Sequence, residues 1–257
     1  MLTLYFSGTG NTKHIAELFS QKMNAACFSI ESAADFSAEI KQHDMIAFCY
    51  PIYGSRAPRI MREFVCGHIS GLAGKKIIIF VTQMMFSGDG ARAFTDLFEE
   101  GAIEVIYAEH FNMQQNIGNT PILNLFSEPT AKSKRKYLRR AEAKMDTVCG
   151  NIRNGIVKKR GFSIVSRLLG CIQGKPWLRL EKSLKSAVRI HEDCTVCGVC
   201  VQICPMKNLV SIDGRLRHLN NCTVCYRCVN RCPQKAVTVF IHRKPRWQYT
   251  LQKETVT

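Results

Sequence analysis

Eight of the thirteen cysteines stand in two short runs, CTVCGVCVQICP and CTVCYRCVNRCP. Cys194, Cys197, Cys200 and Cys204 recur 28 residues later as Cys222, Cys225, Cys228 and Cys232. Each run places four thiols within eleven residues and ends in a proline, Pro205 or Pro233. A backbone that brings so many sulfurs together must fold tightly around something they share. A disulfide framework fits poorly: the cysteine count is odd, and the N-terminus MLTLYFSGTGNTK has neither the charged n-region nor the long apolar run of a secretory signal. Structural zinc sites use two-plus-two cysteine pairs, not four consecutive thiols per run. Soft thiolates at spacing C-x2-C-x2-C-x3-C-P instead suit iron–sulfur clusters.

The repeat resembles the bacterial two-cluster ferredoxins over about 50 residues. In that family the fourth cysteine of each run serves the other cluster. The resemblance therefore implies two [4Fe–4S] clusters, one on Cys194, Cys197, Cys200 and Cys232, the other on Cys222, Cys225, Cys228 and Cys204. Short apolar runs, NLVSI and AVTVF, follow the two halves, as in a pair of duplicated α+β units.

Residues 1 to about 125 have another character. Strand-like runs at Met1–Phe6, Ala25–Ile30, Asp44–Tyr50, Lys75–Thr82 and Ile103–Glu109 alternate with helix-like segments. Helices are expected over Thr12 to Met23, Pro58 to Gly67 and Ala91 to Glu100, with another after Pro129. MIAFCY and KKIIIFVT are almost continuously apolar, as strands buried on both faces must be, so a parallel sheet is expected. Five strands with intervening helices make an open α/β sheet.

The first strand runs into Ser7-Gly8-Thr9-Gly10-Asn11-Thr12 and then a helix. Small residues let a backbone wrap closely round a ligand, and a helix N-terminus with nearby hydroxyls suits a phosphate. Neither the Walker A nor the Rossmann glycine spacing is present, and a simple helix cap would also use these residue types. FSGTGNT closely resembles the phosphate loop of flavodoxins. That resemblance implies a five-stranded parallel sheet in the order 2-1-3-4-5 and a bound FMN. Ligands of such sheets sit at the carboxyl ends of strands. Pro51, Ile52, Tyr53 and Gly54 follow strand three, and Gln83, Met84, Ser87, Gly88 and Asp89 follow strand four, at the positions of the flavodoxin ring-binding loops. Tyr53 is the candidate to pack on the flavin ring. The second loop departs from typical flavodoxins in being methionine-rich.

The formal charge is +16, and residues 131–190 hold 17 Lys or Arg against 3 Asp or Glu. A solvated basic face on connecting helices would account for this. So would a surface for an acidic redox protein, an anionic membrane or, less well supported, a nucleic acid. No apolar run is long enough to span a membrane, and a cytoplasmic chain is expected. Cys27, Cys49, Cys66, Cys149 and Cys171 lie outside the repeat and read as small buried hydrophobes.

Taken whole, the chain resembles flavodoxin–ferredoxin fusion proteins. The implied organisation is a flavodoxin-like domain over 1–150, a basic helical linker over 151–184, a two-cluster ferredoxin domain over 185–241 and an extension over 242–257. The implied function is electron transfer among FMN, the clusters and external redox partner proteins. The alternative is an FMN-dependent reductase of a quinone or nitro compound fed by the clusters. No catalytic residue is identified.

Overall fold

The computed structural model describes residues 1–119 and 128–251. The last six residues of the C-terminal extension, 252–257, lie outside the described residues. The chain divides into two compact units: residues 1–7, 11–114 and 132–177 form the first, and residues 8–10, 115–131 and 178–257 the second.

The first unit is a parallel sheet flanked by helices. Its strands are β1 (Leu2–Tyr5), β2 (Ala26–Ser29), β3 (Met45–Pro51), β4 (Lys76–Gln83), β5 (Glu104–Asn112) and β6 (Lys158–Lys159), in the order β2-β1-β3-β4-β5-β6. All five expected strands form, within a residue or a few at each end. The central ones are apolar because both faces are covered: Ile46 to Tyr50 and Ile77 to Val81 are fully buried. Helix α1 (Asn11–Met23) lays Ile15, Ala16 and Phe19 on the sheet. Phe19 meets Phe80 edge-on at 4.8 Å between ring centres.

The sheet has six strands where five were expected. The sixth is a two-residue pairing of Lys158 and Lys159 with Tyr107 and Ala108. Two exposed lysines carry no strand signal in their hydropathy. They pair because the edge of β5 is otherwise open and because Glu109, on that edge, attracts Lys158 and Arg160. A short helix, α2 (Phe36–Gln42), also forms where none is expected from the sequence. Its start is set by Asp35, whose side chain accepts from the Ser37 and Ala38 N–H groups at 3.1 Å. Helices α3 (Arg59–Gly67), α4 (Ile69–Leu72) and α5 (Ala131–Arg153) follow, with a 3-10 turn at Arg92–Leu97 where a helix to Glu100 was expected. Helix α6 (Ile164–Leu184) contains Pro176 and continues past the boundary of the first unit.

The second unit has two small antiparallel sheets. β7 (Val188–Ile190) pairs with β10 (Val237–Val239), and β8 (Leu209–Ile212) pairs with β9 (Arg215–His218). The β8–β9 turn is Asp213-Gly214, both at positive φ, as a tight hairpin requires. Two one-turn helices, α7 (Val199–Gln202) and α8 (Arg227–Arg231), complete it.

Candidate functional site

The sequence repeat is also a backbone repeat. Val196, Gly198 and Lys207 have φ of 54°, 77° and 50°; their partners 28 residues on, Val224, Tyr226 and Lys235, have 58°, 59° and 52°. Left-handed backbone costs a residue with a side chain roughly 1–2 kcal/mol, more for a β-branched one. Its recurrence at the same three places means that both loops are bent for the same purpose. The bends turn successive sulfurs inward.

The eight cysteines sort into two pockets. One is lined by Cys194, Cys197, Cys200 and Cys232, the other by Cys204, Cys222, Cys225 and Cys228. Each takes three sulfurs from one run and the fourth from the other. Their other walls are mainly apolar, including Val199 and Val237 in the first and Val188, Leu209 and Val239 in the second. Among the described residues, no three His, Cys, Asp or Glu side chains converge tightly enough to hold a single metal ion.

Burial holds several of the repeat's thiols in their neutral form. Burial, reinforced by the neighbouring thiols Cys232 and Cys194, pushes Cys200 up to about 11. Burial pushes Cys225 up to about 12, and Cys228 also moves well above the usual range. Bare thiolates are therefore disfavoured there, and binding of metal must displace protons. Backbone amides already point at sulfur. Asn208 N–H donates to Cys204 Sγ at 3.2 Å, and Ala236 N–H, 28 residues on, donates to Cys232 Sγ at 3.3 Å. Val224 N–H donates to Cys222 Sγ at 3.2 Å.

The glycine-rich loop joins β1 to α1. Gly10 has φ of +104°, which favours glycine. Within the second unit, a Cβ on Gly8 would lie 2.3 Å from the carbonyl oxygen of Cys225, and one on Gly10 2.3 Å from that of Leu251. Thr9 carbonyl accepts from Leu251 N–H, and Thr9 Oγ1 accepts from Asn116 Nδ2 at 2.8 Å. The Gly8 and Thr9 N–H groups donate to nothing among the described residues. Two amides left over in a loop that opens a helix are the donor set that a phosphate uses. In the first unit, Ser7 is buried, Asn11 Nδ2 donates to the Gln114 carbonyl at 2.8 Å, and Thr12 Oγ1 lies 2.7 Å from Thr82 Oγ1.

The loops after β3 and β4 lie under α6. The Tyr53 ring sits 6.1 Å from that of Trp177 at a tilt of 54°. Gly54 has φ of +51°, and a Cβ there would come within 2.4 Å of Trp177. Ser55 Oγ donates to Gln173 Oε1 at 2.6 Å. Pro51, Ile52 and Met84 are half-buried and Gln83 is buried. Gln83 Nε2 donates to the Met85 carbonyl and to Asn112 Oδ1, while its Oε1 is buried without a partner among the described residues.

Ser87 and Asp89 turn inward. Asp89 is fully buried and takes Arg56 on Oδ1 at 3.2 Å and Arg92 on Oδ2 at 2.8 Å. Ser87 Oγ lies 3.1 Å from His110 Nδ1. Gly88, at φ of +54°, lies against Leu169 and Gly170, and Gly170 lies on the Asp89 carboxylate.

Beside this pair, β5 carries Glu109 and His110, which sequence reasoning did not single out. Burial pushes Glu109 up, but the His110 N–H and the Lys158 and Lys144 ammonium groups outweigh it and hold the carboxyl below its usual range. Burial, then the Arg160 guanidinium, lowers His110 to about 4. Its folded pKa lies below its unfolded value, so the unfolded chain binds the extra proton and stability falls as pH drops from about 6.5 to about 4. His110 should account for about 3 kcal/mol of that loss. Melting curves from pH 7 to pH 5 should therefore fall more steeply for the natural protein than for His110→Gln; parallel curves would refute this.

Of the five leftover cysteines, Cys49 and Cys149 are buried and Cys27 is half-buried as expected for small apolar residues, but Cys66 and Cys171 are exposed. They stand on α3 and α6, where the preceding residues, Val65 and Gly170, are the ones turned inward.

A model of the flavodoxin domain matches residues 2–126. No curated protein sequence matches the chain. Solved structures with similarity include a two-electron-reduced flavodoxin from Megasphaera elsdenii. It is 22% identical, with 56% of this chain and 99% of that one covered and a TM-score of 0.39. Oxidised flavodoxin 2 from Bacillus cereus is 16% identical over 58% of this chain and 97% of its own, at a TM-score of 0.38. A flavodoxin from the domain Archaea is 16% identical over 57% of this chain and 96% of its own, at 0.35. The N-terminal part of the chain, residues 2–126, is a flavodoxin domain.

Proposed function

We propose that the protein is an electron carrier that holds FMN in its flavodoxin domain and two [4Fe–4S] clusters in the cysteine repeat. The observation that carries this reading is the sorting of eight cysteines into two four-sulfur pockets, each completed by the other run. When bound, FMN exchanges electrons singly or in pairs and each cluster exchanges one.

The chain's own residues set the conditions for that exchange. Cys194, Cys197, Cys200 and Cys232 hold one cluster, and Cys204, Cys222, Cys225 and Cys228 the other. The apolar walls keep water from the sulfurs, and the amides of Asn208, Val224 and Ala236 stabilise negative charge on them. The Gly8 and Thr9 N–H groups, unpaired among the described residues, receive the flavin phosphate. Tyr53 and Trp177 supply an aromatic wall, and Gln83 and Met84 the polar and soft contacts beside it. Ser87, Gly88 and Asp89 shape the loop from beneath.

Protein purified without oxygen should contain about eight iron, eight sulfide and one FMN per chain. Zinc in place of iron would overturn the cluster assignment, and full clusters without flavin would overturn the FMN assignment.

A further inference from the structure

Helix α6 is packed the opposite way round from most surface helices. Its inward face, within the first unit, is made of Gly170, Gln173, Gly174 and Trp177, at spacings of three, four and seven residues. A Cβ on Gly174 would lie 2.3 Å from the Arg56 guanidinium carbon, and one on Gly170 1.6 Å from Asp89 Oδ1. The face against the protein is thus small and polar, anchored on a buried ion pair. The other face carries Ile164, Val165, Leu168 and Ile172, which are 85%, 68%, 63% and 63% exposed. These residues recur at the helical repeat and form one aliphatic stripe.

Other exposed apolar residues stand near the helix in the fold or the chain. Gly88 lies against Leu169–Gly170, and just before it Met85 and Phe86 are exposed. Ile156 and Val157, which precede the helix, are exposed as well. Four exposed aliphatic side chains gathered on one helix face mark an interaction site.

Charge selects the occupant. No acidic residue lies between Asp146 and Glu181, whereas Lys159, Arg167 and Lys175, besides the Lys158 and Arg160 held by Glu109, fall within that stretch of the first unit. Arg167 and Lys175 are exposed on α6 itself. A second copy docking face to face would set cations against cations. An anionic lipid surface satisfies both features, because the aliphatic stripe enters the acyl boundary while the flanking cations meet headgroups. Among the described residues, no helix is long and apolar enough to cross a membrane, so the fit is a helix lying in the plane.

We propose that the aliphatic stripe of α6, with Met85 and Phe86 beside it, docks this protein on anionic lipid bilayers. This goes beyond the electron-carrier reading and does not depend on it.

The test is sedimentation of the full-length, cofactor-loaded protein with vesicles. Vesicles of phosphatidylcholine with about 30% phosphatidylserine should carry it down, pure phosphatidylcholine should not, and salt at about 0.5 M should weaken the binding. Leu168→Asp/Ile172→Asp should reduce partitioning at least about tenfold while leaving the far-ultraviolet circular dichroism spectrum unchanged. Should that variant fail to fold, Ile164→Ser/Val165→Ser gives the same reading with a milder change. Absence of binding to anionic vesicles, equal binding to neutral ones, or binding that survives these substitutions would overturn the proposal. So would a lipid-free dimer that the same substitutions abolish, which would assign the stripe to a second copy.

Discussion

On the proposed cluster assignment, the double variant Cys194→Ala/Cys232→Ala should lose no more iron than either single variant, about four of eight atoms, whereas Cys194→Ala/Cys222→Ala should lose nearly all of it. Cys194 and Cys232 are 38 residues apart and line one pocket, while Cys194 and Cys222 line different ones. A ligand set can be destroyed only once, so two losses at one site do not add. If each run bound its own cluster, Cys194→Ala/Cys232→Ala would instead strip both. Iron and sulfide analysis of the four anaerobically purified variants and the natural protein distinguishes the outcomes. Far-ultraviolet circular dichroism verifies that the first unit stays folded, since none of these cysteines belongs to it.

Asp89→Ala destabilises the first unit by about 3–5 kcal/mol, enough to lower its melting temperature by about 10 °C. The carboxylate is fully buried between Arg56, whose side chain is 13% exposed, and Arg92, at 20%. Its removal leaves two nearly buried guanidinium groups facing each other across a gap. Burial alone would lower Arg92, but the hydrogen bonds of Asp96 and Asp89 outweigh it, which records how strongly this cation leans on its carboxylates. The loss extends to α6, because Gly170 closes directly on Asp89. Thermal unfolding followed by circular dichroism measures the shift. Asp89→Ala/Arg56→Met should recover part of it by removing one stranded charge along with its partner. A change below about 1 kcal/mol in the single variant would mean that the pair is more solvated than its burial implies.

These two predictions differ in how far the sequence anticipates them. The cysteine spacing and its 28-residue repeat are visible in the letters, and so is the resemblance that pairs each fourth cysteine with the other run. The structure adds the mechanism: left-handed bends at Val196, Gly198 and Lys207, repeated at Val224, Tyr226 and Lys235. Asp89 is a different matter. As a charged residue in a glycine-rich loop after β4, it read as a ligand contact. Its arginine partners stand 33 residues before it and three after it, and nothing in local composition marks the pair as buried. Ser87 was likewise read toward a ligand, and its neighbour His110 was not singled out at all.

The strands of the sheet were legible because burial on both faces writes itself as an unbroken apolar run. The glycine loop was legible because a tight turn into a helix restricts residue type at each step. Both are short-range demands that a few neighbouring residues must meet. β6 was not legible, since Lys158 and Lys159 pair through their backbone and through Glu109, without any apolar signal. Helix α6 is the clearest case. Its sequence holds one aliphatic stripe and one small, polar stripe, and hydropathy alone would turn the first inward. The tertiary structure reverses that order, because only glycine lets the helix approach the Arg56–Asp89 pair and because Gln173 and Trp177 fit over Ser55 and Tyr53. What the sequence by itself determined, then, is the parallel sheet, the wrapped loop and the sulfur spacing, each a local constraint on backbone. The face that α6 shows to the outside and the partners of its buried charges were decided by packing between segments distant in the chain, where shape and desolvation, rather than periodicity, set the outcome.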